Sequence, residues 1–251
     1  MKKLELIRTT KIPFITVAKA ITPPIIWQML YKFLIVRNIT RSECYKPFYS
    51  PWLEAVFVRE YQTIKQYTLC PIENCWTLEN MLTNATNVEG DVVEAGVFQG
   101  GTALLLKKIM SRQGGSKLLY LFDSFEGMKE VNGSDNRHLL GDFNDTSLEQ
   151  VKSVVGTEKF IVYRKGWIPE TFDGLEEKLF CFVHIDLDLY QSILDCCEFV
   201  YPRLSRGGVI VFDDYGYASC PGALRAITEF FSDKPEKPLA LQTGQALIYK
   251  L

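Results

Sequence analysis

Leu179-Phe-Cys-Phe-Val183 runs straight into His184-Ile-Asp-Leu-Asp188, and Gly208-Val-Ile-Val-Phe212 runs straight into Asp213-Asp214. Runs this apolar read as strands buried on both faces of a parallel sheet, and in such sheets the carboxyl ends of neighbouring strands frame the ligand crevice. If the two strands are adjacent, four carboxylates meet there. Two unit charges about 4 Å apart repel by roughly 4 kcal/mol at an effective dielectric of about 20, so such a cluster needs a cation. An all-oxygen donor set suits Mg²⁺, Mn²⁺ or Ca²⁺. The competing reading makes Asp213-Asp214 a helix cap and leaves Asp186 and Asp188 as solvated loop acids.

Working outward from these runs, the chain from residue 91 repeats a pattern of short apolar strand, loop and amphipathic helix. Strands are expected at 92–95, 117–122, 160–164, 180–185, 208–212 and 246–250, with helices at 102–112, 147–155, 190–200 and 222–231 between them. Two further helices are expected upstream, at 52–67 and 71–82. This alternation predicts an α/β fold with a doubly wound, mostly parallel sheet, occupying residues 51–251 and preceded by an arm over residues 1–50.

The chain has 251 residues, 47% of them hydrophobic, and a net charge of −2. It is long enough for a full core and has no overall pull toward nucleic acid. The seven cysteines include no CxxC pair, and adjacent Cys196-Cys197 sit in an expected helix, so they read as buried thiols of a reduced, cytoplasmic protein. Two histidines, His138 and His184, leave little material for a His-rich zinc site or a Ser-His-Asp triad.

Met1-Lys2-Lys3 and the run Ile12-Pro-Phe-Ile-Thr-Val17 imitate a signal peptide, but Glu5 precedes an apolar core of about six residues where roughly 7–15 are usual. After Pro23-Pro24 comes the apolar stretch 25–36, too short for a bilayer that needs about twenty residues. Three roles stay open for the arm at 12–36: peripheral contact with the inner face of a membrane, docking on a second subunit of a homo-oligomer, or packing on its own domain. Residues 38–50 read as a linker or ordered loop.

The first strand leads into Glu94-Ala-Gly96-Val97-Phe98-Gln99-Gly100-Gly101-Thr102. The glycines permit a tight turn, and the helix starting near Thr102 offers free N–H groups to a ligand. The spacing is G-x-x-x-G-G, which departs from the G-x-G-x-x-G that admits a pyrophosphate. Glu94 is positioned to accept from a cationic amino group, and Asp123, ending the second strand, to hold both ribose hydroxyls. Together they read as a nucleoside site for a molecule without a diphosphate.

Five segments carry a family resemblance: 90–101, Phe122-Asp-Ser-Phe-Glu-Gly127, Gly166-Trp-Ile-Pro-Glu-Thr171, 184–190, and 207–215 with Pro221-Gly222. In this order they resemble the macrocin O-methyltransferase family, over residues 52–251. The resemblance implies a class I methyltransferase that uses S-adenosylmethionine and Mg²⁺ to methylate hydroxyls, often on sugars of natural products. It implies a cofactor set of Glu94, Gly96, Val97, Phe98, Gly100, Gly101, Thr102, Asp123, Ser124 and Trp167. It also implies Asp186, Asp213 and Asp214 as metal ligands and Asp188 as the general base. The arm around Pro23-Pro24 and the segment 44–49 have no counterpart in the resemblance, so the acceptor stays open between a saccharide and another small-molecule hydroxyl. A catechol or phenol acceptor, a non-catalytic nucleotide-binding scaffold and a nicotinamide dehydrogenase are the rival readings.

The residues suit that chemistry. Methyl transfer is an in-line displacement at a sulfonium carbon, so an alcohol must lose its proton about 3–3.5 Å from the methyl group. A divalent cation favours the alkoxide and a carboxylate takes the proton. In an extended segment His184, Asp186, Asp188 and Tyr190 share one side, although His184 also reads as a histidine buried in the sheet beneath the site. The loop from Phe125 to Thr146 reads either as a lid or as a surface insertion. Trp167 reads either as an adenine stack or as core packing.

Overall fold

The computed structural model describes residues 50–129 and 137–251 together with Ile26, Met29, Phe33 and Asp135. The expectations for the arm at 12–36 and the linker at 38–49 fall outside the described residues but for Ile26, Met29 and Phe33, which are exposed. Two compact units divide the chain, Met1–Pro51 and Trp52–Leu251. No helix among the described residues is long and apolar enough to cross a membrane.

The second unit is built on a seven-stranded sheet. Its strands are β1 (Asp91–Ala95), β2 (Leu119–Asp123), β3 (Ile161–Lys165), β4 (Phe180–Ile185), β5 (Leu204–Phe212), β6 (Leu239–Ala240) and β7 (Ala246–Tyr249). The spatial order is β3-β2-β1-β4-β5-β7-β6. The first five strands pair in parallel, and β7 is antiparallel to both β5 and β6. The chain turns outward in opposite directions from β1 and β4, which makes the gap between their carboxyl ends the switch point where such sheets bind ligands.

Among the described residues six helices cover the sheet: α1 (Ala55–Ile64), α2 (Ile72–Ala85), α3 (Gly101–Gln113), α4 (Leu148–Val155), α5 (Tyr190–Val200) and α6 (Pro221–Phe230). On one face Ile64, Leu78, Leu82, Leu106, Ile109 and Val151 of α1 to α4 pack on Val92, Leu121 and Val211. On the other, Ile193, Cys197, Ala223 and Ile227 of α5 and α6 pack on Val93, Val183 and Ile210. Helices on both faces explain why β4 is buried along its whole length, and why the sequence shows a continuous apolar run rather than alternation. Local signals set the helix starts. Ser147 caps α4 by accepting from the Gln150 N–H at 3.2 Å, and Pro221 opens α6 where its missing N–H costs nothing.

Two expectations need adjustment. The helix expected over 52–67 is divided into a 3₁₀ turn at Pro51–Leu53, α1, and a second 3₁₀ turn at Lys65–Tyr67. Strand β5 begins at Leu204 instead of Gly208, across a register shift against β4 between Phe180 and Phe182.

Candidate active site

Register brings the acidic groups together. Ile185 of β4 pairs with Ala95 of β1 on one side and Phe212 of β5 on the other, so Asp186 and Asp213 leave neighbouring strands side by side. The ladder holds them there: Asp186 N–H donates to the Ala95 carbonyl at 2.8 Å, and Asp213 N–H to the Ile185 carbonyl at 3.0 Å. Carboxylate oxygens of Asp186, Asp213 and Asp214 lie within 4.8 Å of one another. Such a set spans the positions around an octahedral ion with about 2.1 Å bonds, and it is all oxygen, so it fits Mg²⁺.

The electrostatics agree with that fit. Burial, then Asp213 and Asp214, pushes the Asp186 carboxyl well above its usual range; burial, then Asp188 and Asp213, does the same to Asp214. Asp213 goes the other way. Burial pushes it up, but His184, Gln245 and Asn74 outweigh burial and hold it below the usual range. Gln245 Nε2 donates to Asp213 Oδ1 at 2.7 Å, and Asn74 Nδ2 reaches both oxygens at 3.3 and 3.2 Å. Beneath the cluster His184 is fully buried, with Nδ1 3.0 Å from Glu94 Oε1 and Nε2 3.7 Å from Asp213 Oδ1. Burial opposes its charge, yet Asp213 and Glu94 together raise its pKa well above the ordinary histidine value. A protonated His184 supplies at most one positive charge beneath the acids.

Facing the acids is the loop after β1. Gly96 has φ +88°, and a Cβ there would stand 1.8 Å from the Asp186 carbonyl oxygen, so only glycine lets the two strand ends come this close. Asp123 fixes the loop: Oδ2 accepts from the Val97 N–H at 2.7 Å and the Phe98 N–H at 3.0 Å, while Oδ1 accepts from Phe125 N–H at 2.6 Å. A carboxylate has about four acceptor sites, so little of Asp123 is free for a ribose.

Between the loop and the acids lies a cleft of about 450 Å³, lined by Gly96, Val97, Phe98, Thr102, Asp123, Ser124 and Trp167 on the cofactor side and by all four acids on the other. Of the expected cofactor residues, Glu94, Gly100 and Gly101 do not line it. Glu94 lies under the loop with Oε2 unpartnered. Gly101 instead lets α3 pass the backbone of Tyr67, whose carbonyl would be 2.8 Å from a Cβ. Trp167 is 37% exposed on the cleft wall, which removes the core-packing alternative.

The expected alternation of His184, Asp186, Asp188 and Tyr190 along one side does not hold. The strand ends at Ile185, and Asp188 takes a left-handed φ of +57°, so the chain turns and the period of two is lost. His184 is the buried histidine of the two readings. Tyr190 opens α5, and its hydroxyl donates to Glu229 at 2.5 Å, outside the cleft. Asp188 stays at the site because its N–H donates to Asp214 Oδ2 at 3.0 Å; burial, the largest influence, raises its carboxyl pKa.

Of the loop expected as a lid, residues 130–134 and 136 lie outside the described residues. Its described part reaches the cleft through Gly127, Met128, Phe143 and Thr146. Asp135 accepts from the Tyr190 N–H at 3.0 Å, and the Thr146 hydroxyl donates to the Phe98 carbonyl. Five site neighbours carry no local sequence signal: Cys70, Asn74, His138 and Gln245 reach the acids from distant segments, and Cys220 lies six residues beyond Asp214, just before α6. Only the rarity of histidine marked His138 at all.

Residues 67–240 match the family model for macrocin-O-methyltransferase (TylF). Curated relatives include the 8-demethyl-8-(2,3-dimethoxy-alpha-L-rhamnosyl)-tetracenomycin-C 4'-O-methyltransferase of Streptomyces olivaceus, 32% identical over 154 residues, 56% of this chain and 58% of that protein. The demethyldecarbamoylnovobiocin O-methyltransferase of Streptomyces niveus is 29% identical over 169 residues, 61% of this chain and 62% of that protein. The matches thus span less than two thirds of either relative. Among solved structures, the O-methyltransferase NovP superposes with a TM-score of 0.66 at 22% identity, over 73% of this chain and 82% of that one. The calicheamicin methyltransferase CalS11 superposes at 0.61 and 17% identity, over 80% and 94%. These structural likenesses establish the fold, an α/β class I methyltransferase architecture.

Proposed function

This chain belongs to the macrocin-O-methyltransferase family, and from that membership we propose that it transfers a methyl group from S-adenosylmethionine to a sugar hydroxyl of a glycoside or polysaccharide precursor, with Mg²⁺ as cofactor. The observation that carries this reading is the meeting of Asp186, Asp213 and Asp214 with Asp188 on the cleft wall opposite the β1 loop. The acids form a hard oxygen set, and the facing loop offers a glycine turn, a helix N-terminus and an aromatic wall without a pyrophosphate cradle.

Asp186, Asp213 and Asp214 would hold the ion, which when bound supplies a positive charge that favours an ionised acceptor hydroxyl. Asp188 would take the proton from that hydroxyl. Its raised pKa makes it a better base than a solvated aspartate, and its left-handed φ takes it out of the strand that carries Asp186. Val97, Phe98, Thr102, Ser124 and Trp167 would line the cofactor, with Asp123 holding the loop in shape and offering its remaining acceptor site to the ribose. His184 and Glu94 would support Asp213 from below, off the cleft lining.

The sugar is suggested by the relatives: the tetracenomycin enzyme is a 4'-O-methyltransferase of a rhamnosyl compound. The deciding experiment supplies methyl-labelled S-adenosylmethionine and Mg²⁺ with two acceptor panels, deoxysugar glycosides and vicinal aromatic diols. Label entering the glycosides supports the proposal. Label entering only the diols replaces the sugar with a catechol, and no label in either panel removes the methyl-transfer reading for these acceptors.

A further inference from the structure

Beside the oxygen cluster lies a second group of donors with a different chemical character. Cys220 Sγ is 3.6 Å from His138 Nε2 and 3.3 Å from Asp188 Oδ1, and His138 Nε2 is 3.8 Å from Asp188 Oδ1. A tetrahedral zinc ion with Zn–S of about 2.3 Å and Zn–N and Zn–O of about 2.0–2.1 Å has edges of roughly 3.3–3.6 Å between these donor types. The three observed edges differ from those values by tenths of an ångström. We propose that His138, Asp188 and Cys220 form a binding site for a borderline-soft divalent cation such as Zn²⁺, separate in chemistry from the Mg²⁺ cluster.

Three features support the site beyond the spacing. His138 Nδ1 faces Asp142 Oδ2 at 3.7 Å, the outer carboxylate that commonly orients a metal-binding imidazole and leaves Nε2 as the donor. The Asp188 backbone is held by its N–H bond to Asp214 Oδ2, while its carboxylate Oδ1 faces Cys220 and His138. The donors come from three segments, the loop after β2, the turn after β4 and the N-cap of α6, and both Cys220 and the His138 side chain are almost fully buried. Asp214 belongs to the oxygen cluster, so three protein donors hold the second ion and its fourth position is left to water.

Donor type separates the two sites. Thiolate and imidazole favour Zn²⁺ over Mg²⁺, whereas three carboxylates favour the hard ion. On binding, the Cys220 S–H bond breaks, its proton passes to buffer, and a metal–sulfur bond forms; nothing is oxidised. Because the ion engages Asp188, Zn²⁺ inhibits methyl transfer that Mg²⁺ supports, a consequence that rests on the proposed role of Asp188 as base.

The test uses Co²⁺ as an optical stand-in for Zn²⁺, added to the full-length, chelator-stripped protein in saturating Mg²⁺. One equivalent should give a thiolate-to-cobalt charge-transfer band with tetrahedral d–d absorption, and Zn²⁺ should displace it. Cys220→Ser should abolish the charge-transfer band, His138→Gln should weaken Co²⁺ binding by about 100-fold or more, and Cys70→Ser should keep the band. Circular dichroism of each variant verifies folding, and His138→Gln carries the test if Cys220→Ser does not fold. A wild-type protein without the band, or a band that survives Cys220→Ser, overturns the site. The band does not depend on turnover, so failure of the methyltransferase reading would leave it intact, and its absence would leave methyl transfer standing.

Discussion

His184 Nδ1 lies 3.0 Å from Glu94 Oε1, and the two residues are direct register partners on the central strands β4 and β1. Both side chains are fully buried, so the pair stands in the middle of the sheet, directly below the acids it supports. Breaking one side of a buried pair costs about 3–5 kcal/mol, because the remaining charge loses its partner without regaining water. Glu94→Leu should therefore lower unfolding stability by that amount in urea titrations. Because the folded pKa of His184 is raised, its stabilisation is fully present below about pH 6.5, its unfolded value, and fades as pH rises through the folded value. The deficit of Glu94→Leu should shrink across that rise; a deficit independent of pH would show the imidazole to be neutral.

A second prediction concerns the metal-free cluster. The carboxyls of Asp186 and Asp214 are raised above their unfolded value of about 3.9, so in chelator stability should fall as pH climbs from there through their folded values. Mg²⁺ should reverse the fall. Asp186→Asn and Asp214→Asn should melt at or above the wild-type temperature in chelator and lose the Mg²⁺-induced rise. Thermal melts across pH, with and without Mg²⁺, check both statements.

For the base, Asp188→Asn keeps shape but cannot accept a proton. Turnover should drop by about 10²–10⁴-fold, with Mg²⁺ and S-adenosylhomocysteine affinities near normal and partial recovery at high pH. Steady-state kinetics beside calorimetry make the distinction. Near-normal turnover with weakened Mg²⁺ binding would turn Asp188 into a ligand.

Trp167 supplies the aromatic wall of the cleft. Removing a stacking partner is worth about 0.5–1.5 kcal/mol, so Trp167→Ala should weaken S-adenosylhomocysteine binding by roughly 2- to 13-fold and leave the melting temperature nearly unchanged. An unaltered affinity by calorimetry would place the adenine elsewhere.

The carboxylate cluster was legible in the sequence because Asp186 and Asp213 follow buried strands without an intervening loop, so strand register alone sets their separation. Strand β6 was not: Leu239 and Ala240 are exposed, and two residues carry no period. The polarity of 184–190 misled because alternation assumes an extended chain, and the positive φ of Asp188 ends it. Asn74 and Gln245, whose donors hold Asp213 ionised, come from α2 and from just before β7. Their meeting is decided by packing of distant segments, which no local pattern announces.

Calorimetric titration of the full-length protein with S-adenosylhomocysteine, repeated with NAD, tests the central claim most directly. The β1 loop, with its G-x-x-x-G-G spacing and Asp123 anchor, should bind S-adenosylhomocysteine at one site per chain and give no heat with NAD. Saturable NAD binding with no response to S-adenosylhomocysteine would contradict the account.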